Sequence, residues 1–211
     1  MIEKIGIIGA GQMGNGIAHV AAVAGCSVVL LDLDQQRIDA GLETITQNLA
    51  RQVRRNLLSE SDRSAAFDRI STTLDYADFG ECDFVIETAA EDEAVKRAIF
   101  KTLIPHLSDT ALIASNTSSI SITRLATTTD RPERFIGMHF MNPVPMMDLV
   151  ELIRGLATSE ETYQEVRTLA KRMGKTISVA EDFPAFIVNR ILMPMINEAV
   201  YTLYEGVGNV A

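Results

Sequence analysis

The sequence predicts an α/β fold: a doubly wound sheet with a helical arm, followed by the start of an all-α C-terminal domain. Three observations predict it. Short apolar runs that read as buried strands alternate with longer stretches whose apolar residues recur at helical spacing. The first junction, residues 4–32 (KIGIIGAGQMGNGIAHVAAVAGCSVVLLD), reads strand, glycine turn, helix, strand, acid. From Pro184 onward the composition shifts to a helical segment that is apolar on nearly all sides, and such a helix needs partners to cover it.

Each part of that first stretch has a physical reason. Gly9 permits a tight turn out of the strand, Gly11 lets a dinucleotide pyrophosphate approach the backbone, and Gly14 lets the helix lie close on the sheet. The helix opening at Gln12 and Met13 aims free amide hydrogens and its positive dipole end at phosphates. Asp32 stands where a carboxylate accepts the hydroxyls of the adenine ribose. That carboxylate would repel a 2′-phosphate, and the next residues, Leu33 and Asp34, supply no Arg, so NAD is favoured over NADP. A glycine motif alone is weak evidence; strand, helix and acid agreeing around it make this a Rossmann-type dinucleotide site rather than a bland turn.

The remaining elements follow in order. Residues 35–55 carry Ile38, Leu42, Ile45, Leu49 and Val53 at helical spacing, and the other side of that helix ends in Arg51, Arg54 and Arg55. This cationic cluster reads either as a solvated face or as a patch for a large anionic ligand. A second helix is predicted over 62–69, capped by Ser61 or Asp62, then a short strand at 70–73 and an acidic turn through Asp75 and Asp78. Residues 82–87 form a buried strand whose last residue, Glu87, is expected to border the ligand cleft together with Thr88 to Asp92. A helix over 91–106 leads to a strand at 111–115 and the small polar run Asn116, Thr117, Ser118, Ser119, which is either a turn with a helix cap or a set of donors for a substrate oxygen. A strand at 135–140 holds His139, a stiff loop contains Pro143 and Pro145, and a strand at 149–153 holds Glu151. A helix over 158–173, a strand at 175–180 and a long helix over 185–205, interrupted by Pro194, complete the chain.

Composition sets bounds on partners. Of the 211 residues 47% are hydrophobic and 22% charged, the profile of a globular chain, and the net charge of −9 argues against a general nucleic-acid binder or a membrane-surface protein. No apolar run has the length of a membrane span, and the glycine motif lies so near Met1 that no cleaved leader is expected. Cys26 and Cys82 stand singly beside apolar strands, which fits reduced thiols and a cytoplasmic location. No metal site is expected.

A hydride-transfer site needs a group to move the accompanying proton. Of the three histidines, His19 reads as a packed residue of the first helix and His106 as an exposed residue near a helix end. His139 has Glu151 in the neighbouring strand, and a carboxylate within LVELI is costly to bury without a partner. An adjacent imidazole would satisfy it and would be oriented by it in turn. The competing reading has Glu151 pointing outward from an edge strand and His139 as an ordinary core residue.

With GAGQMGNGIAH, SNTSS, GMHFMNPVPMMDLVE and DFPAFIVNR all in view, the chain resembles the 3-hydroxyacyl-CoA dehydrogenases along its whole length. The resemblance implies oxidation of an L-3-hydroxyacyl-CoA with NAD as cofactor, part of fatty acid β-oxidation chemistry. It implies His139 as general base, Glu151 as its orienting carboxylate, and Ser118 and Asn189 as hydrogen-bonding partners of the substrate oxygen. It further implies that Asn142, Glu91, Lys96 and Ser118 contact the nicotinamide half of NAD, and that the arm over about 35–69 receives CoA. In that arm Arg55-Asn56 stands where the family commonly has Lys-Gly, and Asn48 aligns with a CoA-contacting serine. The expected organisation is an NAD-binding domain over 1–183 and, over 184–211, the first helix of a helical domain that in the family closes the acyl pocket and makes a homodimer. Two other outcomes stay open: a dehydrogenase of a non-CoA hydroxy acid on the same scaffold, and a chain that binds NAD without turning over.

Overall fold

A computed structural model describes residues 1–209; Val210 and Ala211, the end of the expected helical segment, lie outside the described residues. The elements follow the predicted alternation: β1 (Lys4–Ile8), α1 (Gln12–Val23), β2 (Ser27–Leu31), α2 (Gln35–Arg54), α3 (Glu60–Asp68), β3 (Ile70–Thr73), β4 (Phe84–Glu87), α4 (Glu93–Leu103), β5 (Leu112–Ser115), α5 (Ile122–Ala126), β6 (Phe135–Phe140), β7 (Leu149–Arg154), α6 (Glu160–Arg172), β8 (Thr176–Glu181) and α7 (Val188–Tyr204). All eight strands join one sheet in the order β3-β2-β1-β4-β5-β6-β7-β8. Every pairing is parallel except β6 with β7.

The order in which strands are added to the sheet reverses between β1 and β4, which opens a crevice at the carboxyl ends of the strands. Both faces of the sheet are covered, so β1, β4, β5 and β6 are apolar at nearly every position and almost wholly buried. One core lies between the sheet and α1, α2 and α6, and it includes Ile17, Ile38, Ile45 and Leu49. The other lies on the opposite face, where Phe79, Phe100, Leu103 and Phe135 pack. Each such side chain contributes about 1.5–3 kcal/mol through burial.

Element boundaries depart from expectation where a cap competes. Helix α3 begins two residues earlier than predicted, because the Ser59 side chain accepts the Asp62 amide. Asp92 caps α4, which leaves Glu91 outside the helix, and Ser159 caps α6. The short helix α5 was not predicted as an element; Ser121 caps it. Helix α7 starts at Val188 because Ala185 and Phe186 have φ of 68° and 52°, left-handed backbone that ends any helix begun at 185. Strand β7 is not an edge, since β6 and β8 flank it, and the outward-pointing reading of Glu151 fails on that register. Helix α7 has no buried residue, and Ile191, Met195, Ile196 and Val200 are exposed along it. No helix among the described residues is long and apolar enough to cross a membrane.

Candidate active site

The glycine turn has the shape that a pyrophosphate needs. Gly9 has φ of +103°, which L side chains avoid, and its amide donates to the Leu31 carbonyl at 2.7 Å. A Cβ on Gly14 would stand 1.7 Å from the Gly9 carbonyl oxygen, so α1 can approach β1 only through glycine. Beside Gly11 there is open space, with nothing within 4 Å of where a Cβ would be. No side chain caps α1 and no acid lies in its first turn, so its amide end faces that space uncompensated. Gly14→Ala is therefore expected to cost about 1–3 kcal/mol through overpacking, read as a lower denaturant midpoint together with weaker NADH binding.

Two cavities flank this turn, both bordered by Gly11, Asp32 and Arg37. One, of about 550 Å³, is lined by Gln12, Asn15 and the Asn142–Pro145 loop; the other, of about 430 Å³, by Leu31, Tyr76, Thr88, Ala89 and Ile99. Each has the size of a ligand site, and together they offer one compartment on either side of the glycine turn. Asp32 accepts the Ala10 amide at 2.7 Å through one oxygen and the Leu33 amide at 2.7 Å through the other, which ties the end of β2 to the turn. Sequence reading found no Arg beside Asp32, yet α2 carries Arg37 to 3.9 Å from its carboxylate and 3.2 Å from that of Asp34. Met13 is partly buried against the core and lines neither cavity.

His139 and Glu151 are register partners across the antiparallel β6–β7 pair, so their side chains leave the sheet on the same face. The ring Nδ1 lies 2.7 Å from Glu151 Oε2, with side-chain exposures of 7% and 0%. Glu151 Oε1 accepts the Ile187 amide at 3.0 Å and the Val188 amide at 2.9 Å, the opening of α7. Burial pushes the Glu151 carboxyl up, but His139 and those two amides outweigh it and hold the group below the usual carboxylate range. On the other side of the ring, Nε2 lies 3.1 Å from Ser118 Oγ, and Phe186 packs with its ring centre 6.0 Å away.

A carboxylate positions the loop that bears Ser118. Glu91 Oε1 accepts from the Thr117 hydroxyl at 2.6 Å, the Ser118 amide at 2.8 Å, the Ser119 amide at 3.1 Å and the Ser119 hydroxyl at 3.0 Å. Against the effect of burial, these bonds and the charge of Lys96 hold the Glu91 carboxyl below its usual range. Two further anchors escaped the sequence reading. Asn116 accepts the Phe140 amide at 2.9 Å, joining the loop to the strand of His139. Asp182 accepts from the Ser121 hydroxyl and from the Ile122 and Thr123 amides, which fixes α5 against the end of β8. Asn189 Nδ2 reaches the Ser118 carbonyl oxygen at 3.3 Å, so it too stands at this loop.

One expectation needs correction. Glu87 does not border the cleft: it is wholly buried and bonded to Lys96, the Ser115 hydroxyl and the Ala89 amide. Lys96 is also buried, at 1% exposure, with its ammonium turned to Glu87 rather than to either cavity. In the arm, Asn48, Arg51 and Arg55 line a cavity of about 260 Å³ with Gln52, Leu57, Pro145 and Met146, while Arg54, exposed on another side of α2, does not. Helices α2 and α3 pack on α1, and His19 joins them through a 3.0 Å contact of Nε2 with Gln52. Cys26 and Cys82 are buried free thiols, and no cluster of three or more metal-ligating side chains occurs among the described residues.

Burial holds the His19 imidazole neutral, lowering its pKa despite the Gln52 contact, while Lys175 lowers it further. The unfolded chain binds that proton first, so stability is full above about pH 6.5 and declines as pH falls. Glu151, Glu91 and Asp182 carry the same sign, with loss beginning below about pH 4. The urea midpoint should fall in two stages on acidification, and His19→Gln should flatten the upper stage alone.

Comparison with known proteins agrees with this geometry. Residues 4–183 match the family model described as 3-hydroxyacyl-CoA dehydrogenase, NAD binding domain. A 3-hydroxybutyryl-CoA dehydrogenase of Bradyrhizobium diazoefficiens is 60% identical over 100% of this chain and 72% of its own length. A fatty acid oxidation complex subunit alpha from a Psychrobacter species is 43% identical over 97% of this chain, which spans 28% of that longer protein. The crystal structure of (S)-3-hydroxybutyryl-CoA dehydrogenase from Ralstonia eutropha superposes with a TM-score of 0.96 at 47% identity, covering 99% of this chain and 74% of that one. A glycine turn shaped for a dinucleotide, a buried imidazole-carboxylate pair and these likenesses meet in one statement: the chain belongs to the 3-hydroxyacyl-CoA dehydrogenase family and carries its NAD-binding domain.

Proposed function

We propose that this protein catalyses the reversible, NAD-dependent oxidation of an L-3-hydroxyacyl-CoA, such as 3-hydroxybutyryl-CoA, to the 3-ketoacyl-CoA. The observation that carries the reading is the line of contacts from Ser118 Oγ through both ring nitrogens of His139 to Glu151. An ionised carboxylate only accepts hydrogen bonds, so Glu151 places the ring proton on Nδ1 and leaves the Nε2 lone pair facing the Ser118 side. A substrate hydroxyl at that position gives its proton to Nε2, and the imidazolium that results is stabilised by Glu151 at 2.7 Å. Ser118 donates to the same substrate oxygen as charge develops on it, with Asn189 beside it. NAD, when bound on the glycine turn and Asp32, supplies the hydride acceptor. Because Glu91 holds the Ser118 loop rigidly, little reorganisation accompanies the reaction.

Asn48, Arg51 and Arg55 are assigned to the CoA nucleotide, with Arg54 a weaker, long-range contribution. The exposed apolar face of α7 is assigned to the remainder of a C-terminal helical domain and, through it, a homodimer. Two buried free thiols support a reducing compartment, the cytoplasm, and the likeness to fatty acid oxidation proteins supports a place in that chemistry. The test follows NADH consumption with acetoacetyl-CoA and with free acetoacetate. Turnover of the thioester, inhibited by free CoA and weakened in KM by joint Arg51→Ala and Arg55→Ala replacement, is expected. Equal use of the free acid would favour a non-CoA hydroxy acid, and binding of NADH without turnover would leave only the cofactor site.

A further inference from the structure

We infer that Lys175 is a positioning residue: its ammonium holds the loop over 143–147 from behind and so fixes the wall that the cofactor and CoA compartments share. The CoA half of the inference rests on the assignment of the arm cavity made above, and the cofactor half on the glycine turn.

Two cavities meet at this loop. Pro143, Val144 and Pro145 border the cavity of about 550 Å³ beside the glycine turn, while Pro145 and Met146 border the arm cavity with Arg51 and Arg55. Pro145 and Asn48 border both. A wall that contains two prolines has few amides with which to hold itself. Its own bonds are those that the Met146 and Met147 amides donate to the Pro143 carbonyl, at 2.9 and 3.0 Å. Val144 seats the loop on α1, where a Cβ on Gly16 would stand 2.8 Å from the Val144 Cβ. The remaining support comes from the junction of α6 and β8. Gly174, with φ of +73°, turns the chain out of α6, and the Thr176 amide donates to the Asp148 carbonyl at 2.8 Å, which brings Lys175 beside the end of the loop. Its Nζ donates to the Val144 carbonyl at 2.6 Å and to the Met147 carbonyl at 2.8 Å. Partial burial lowers the Lys175 pKa despite nearby Asp148, so water competes weakly for these bonds. What they set is where Pro145 and Met146 stand between the two cavities. Without the cation, whichever ligand binds first has to order the loop, and the second then finds it ordered.

Lys175→Met keeps the apolar stem and removes the donors. In the ligand-free variant the Met146 and Met147 amides should exchange hydrogen about tenfold faster or more, as local opening of the loop becomes easier. The dissociation constants for NADH alone and for CoA alone should each rise about five- to tenfold, because the ligand now bears the cost of ordering the wall. With NADH saturating, the CoA value should return to within about twofold of wild type measured in the same way. Lys175→Arg, which keeps a cation long enough to reach both carbonyls, should restore both affinities. Amide exchange equal to wild type, an unchanged NADH dissociation constant, or a CoA loss that persists undiminished under saturating NADH would each overturn the inference. A wild-type measurement covers the case of a misfolded variant: the Lys175 ammonium should exchange hydrogen slowly enough to give its own resonance, and one averaged with solvent would overturn the inference. Failure of the wild-type protein to bind CoA would sink the CoA assignment instead, while the NADH and exchange arms still decide the role of Lys175 at the cofactor wall.

Discussion

Replacing His139 by Gln is expected to lower kcat about 100- to 10,000-fold, the range a positioned general base contributes, with NADH affinity retained. Glu91, the carboxylate at the Ser118 loop, is committed to the hydroxyls and amides of Thr117, Ser118 and Ser119. Glu151 is wholly buried behind the imidazole, and His19 sits on α1 against Gln52, away from the Ser118 loop. Glu91 still holds the Ser118 and Ser119 amides, so the loop that carries the Ser118 hydroxyl stays in place, the substrate oxygen keeps a donor and some turnover persists. Stability should change little, because the Gln amide can still donate to Glu151. Steady-state turnover with acetoacetyl-CoA, NADH fluorescence titration and a denaturant curve together check the three parts of this expectation.

Glu151→Gln is expected to be at least as damaging, although it changes a single atom pair. The amide group facing His139 Nδ1 is a donor where the ring also carries its proton. Relief comes either by turning the amide, which then points its hydrogens at the Ile187 and Val188 amides, or by moving the ring proton to Nε2. The second choice leaves no lone pair for the substrate proton. In serine proteases the corresponding carboxylate-to-amide change costs about 10,000-fold through the wrong tautomer, and a loss of that order is expected here. The first choice leaves buried amides unpaired at the start of α7, costing about 1–3 kcal/mol. The same variant should therefore lose activity and show a lower unfolding midpoint, whereas His139→Gln should lose activity alone.

How much of this was legible in the chain depends on the range of the interaction. The β1–α1–β2 unit and its Asp32 are local, written in consecutive residues whose geometry each glycine permits, and they stand in the structure as read. The pairing of His139 with Glu151 required only that two successive strands be antiparallel neighbours. The anchors that crossed the sheet were not legible. Asp182 caps α5 across some sixty residues, and Glu87 meets Ser115 and Lys96 only once β4, β5 and α4 are assembled. A strand-terminal carboxylate signalled a ligand cleft, but Lys96, one helical turn past the Asp92 cap, claimed it first. Arg37 illustrates the same limit: it is not adjacent to Asp32 in sequence, and the first turn of α2 brings it there. Helix starts shifted where capping serines or left-handed backbone at Ala185 and Phe186 outweighed the apolar pattern.

The central claim is that a hydride leaves the carbinol carbon of the substrate for NAD while His139 takes the hydroxyl proton. It is tested most directly with 3-hydroxybutyryl-CoA that carries deuterium on the carbinol carbon, incubated with NAD and the wild-type protein. The account predicts that the deuterium is recovered on the nicotinamide ring, with an equal amount of unlabelled proton released to water. Deuterium washed into the solvent, or ketone formed without labelled NADH, would contradict it.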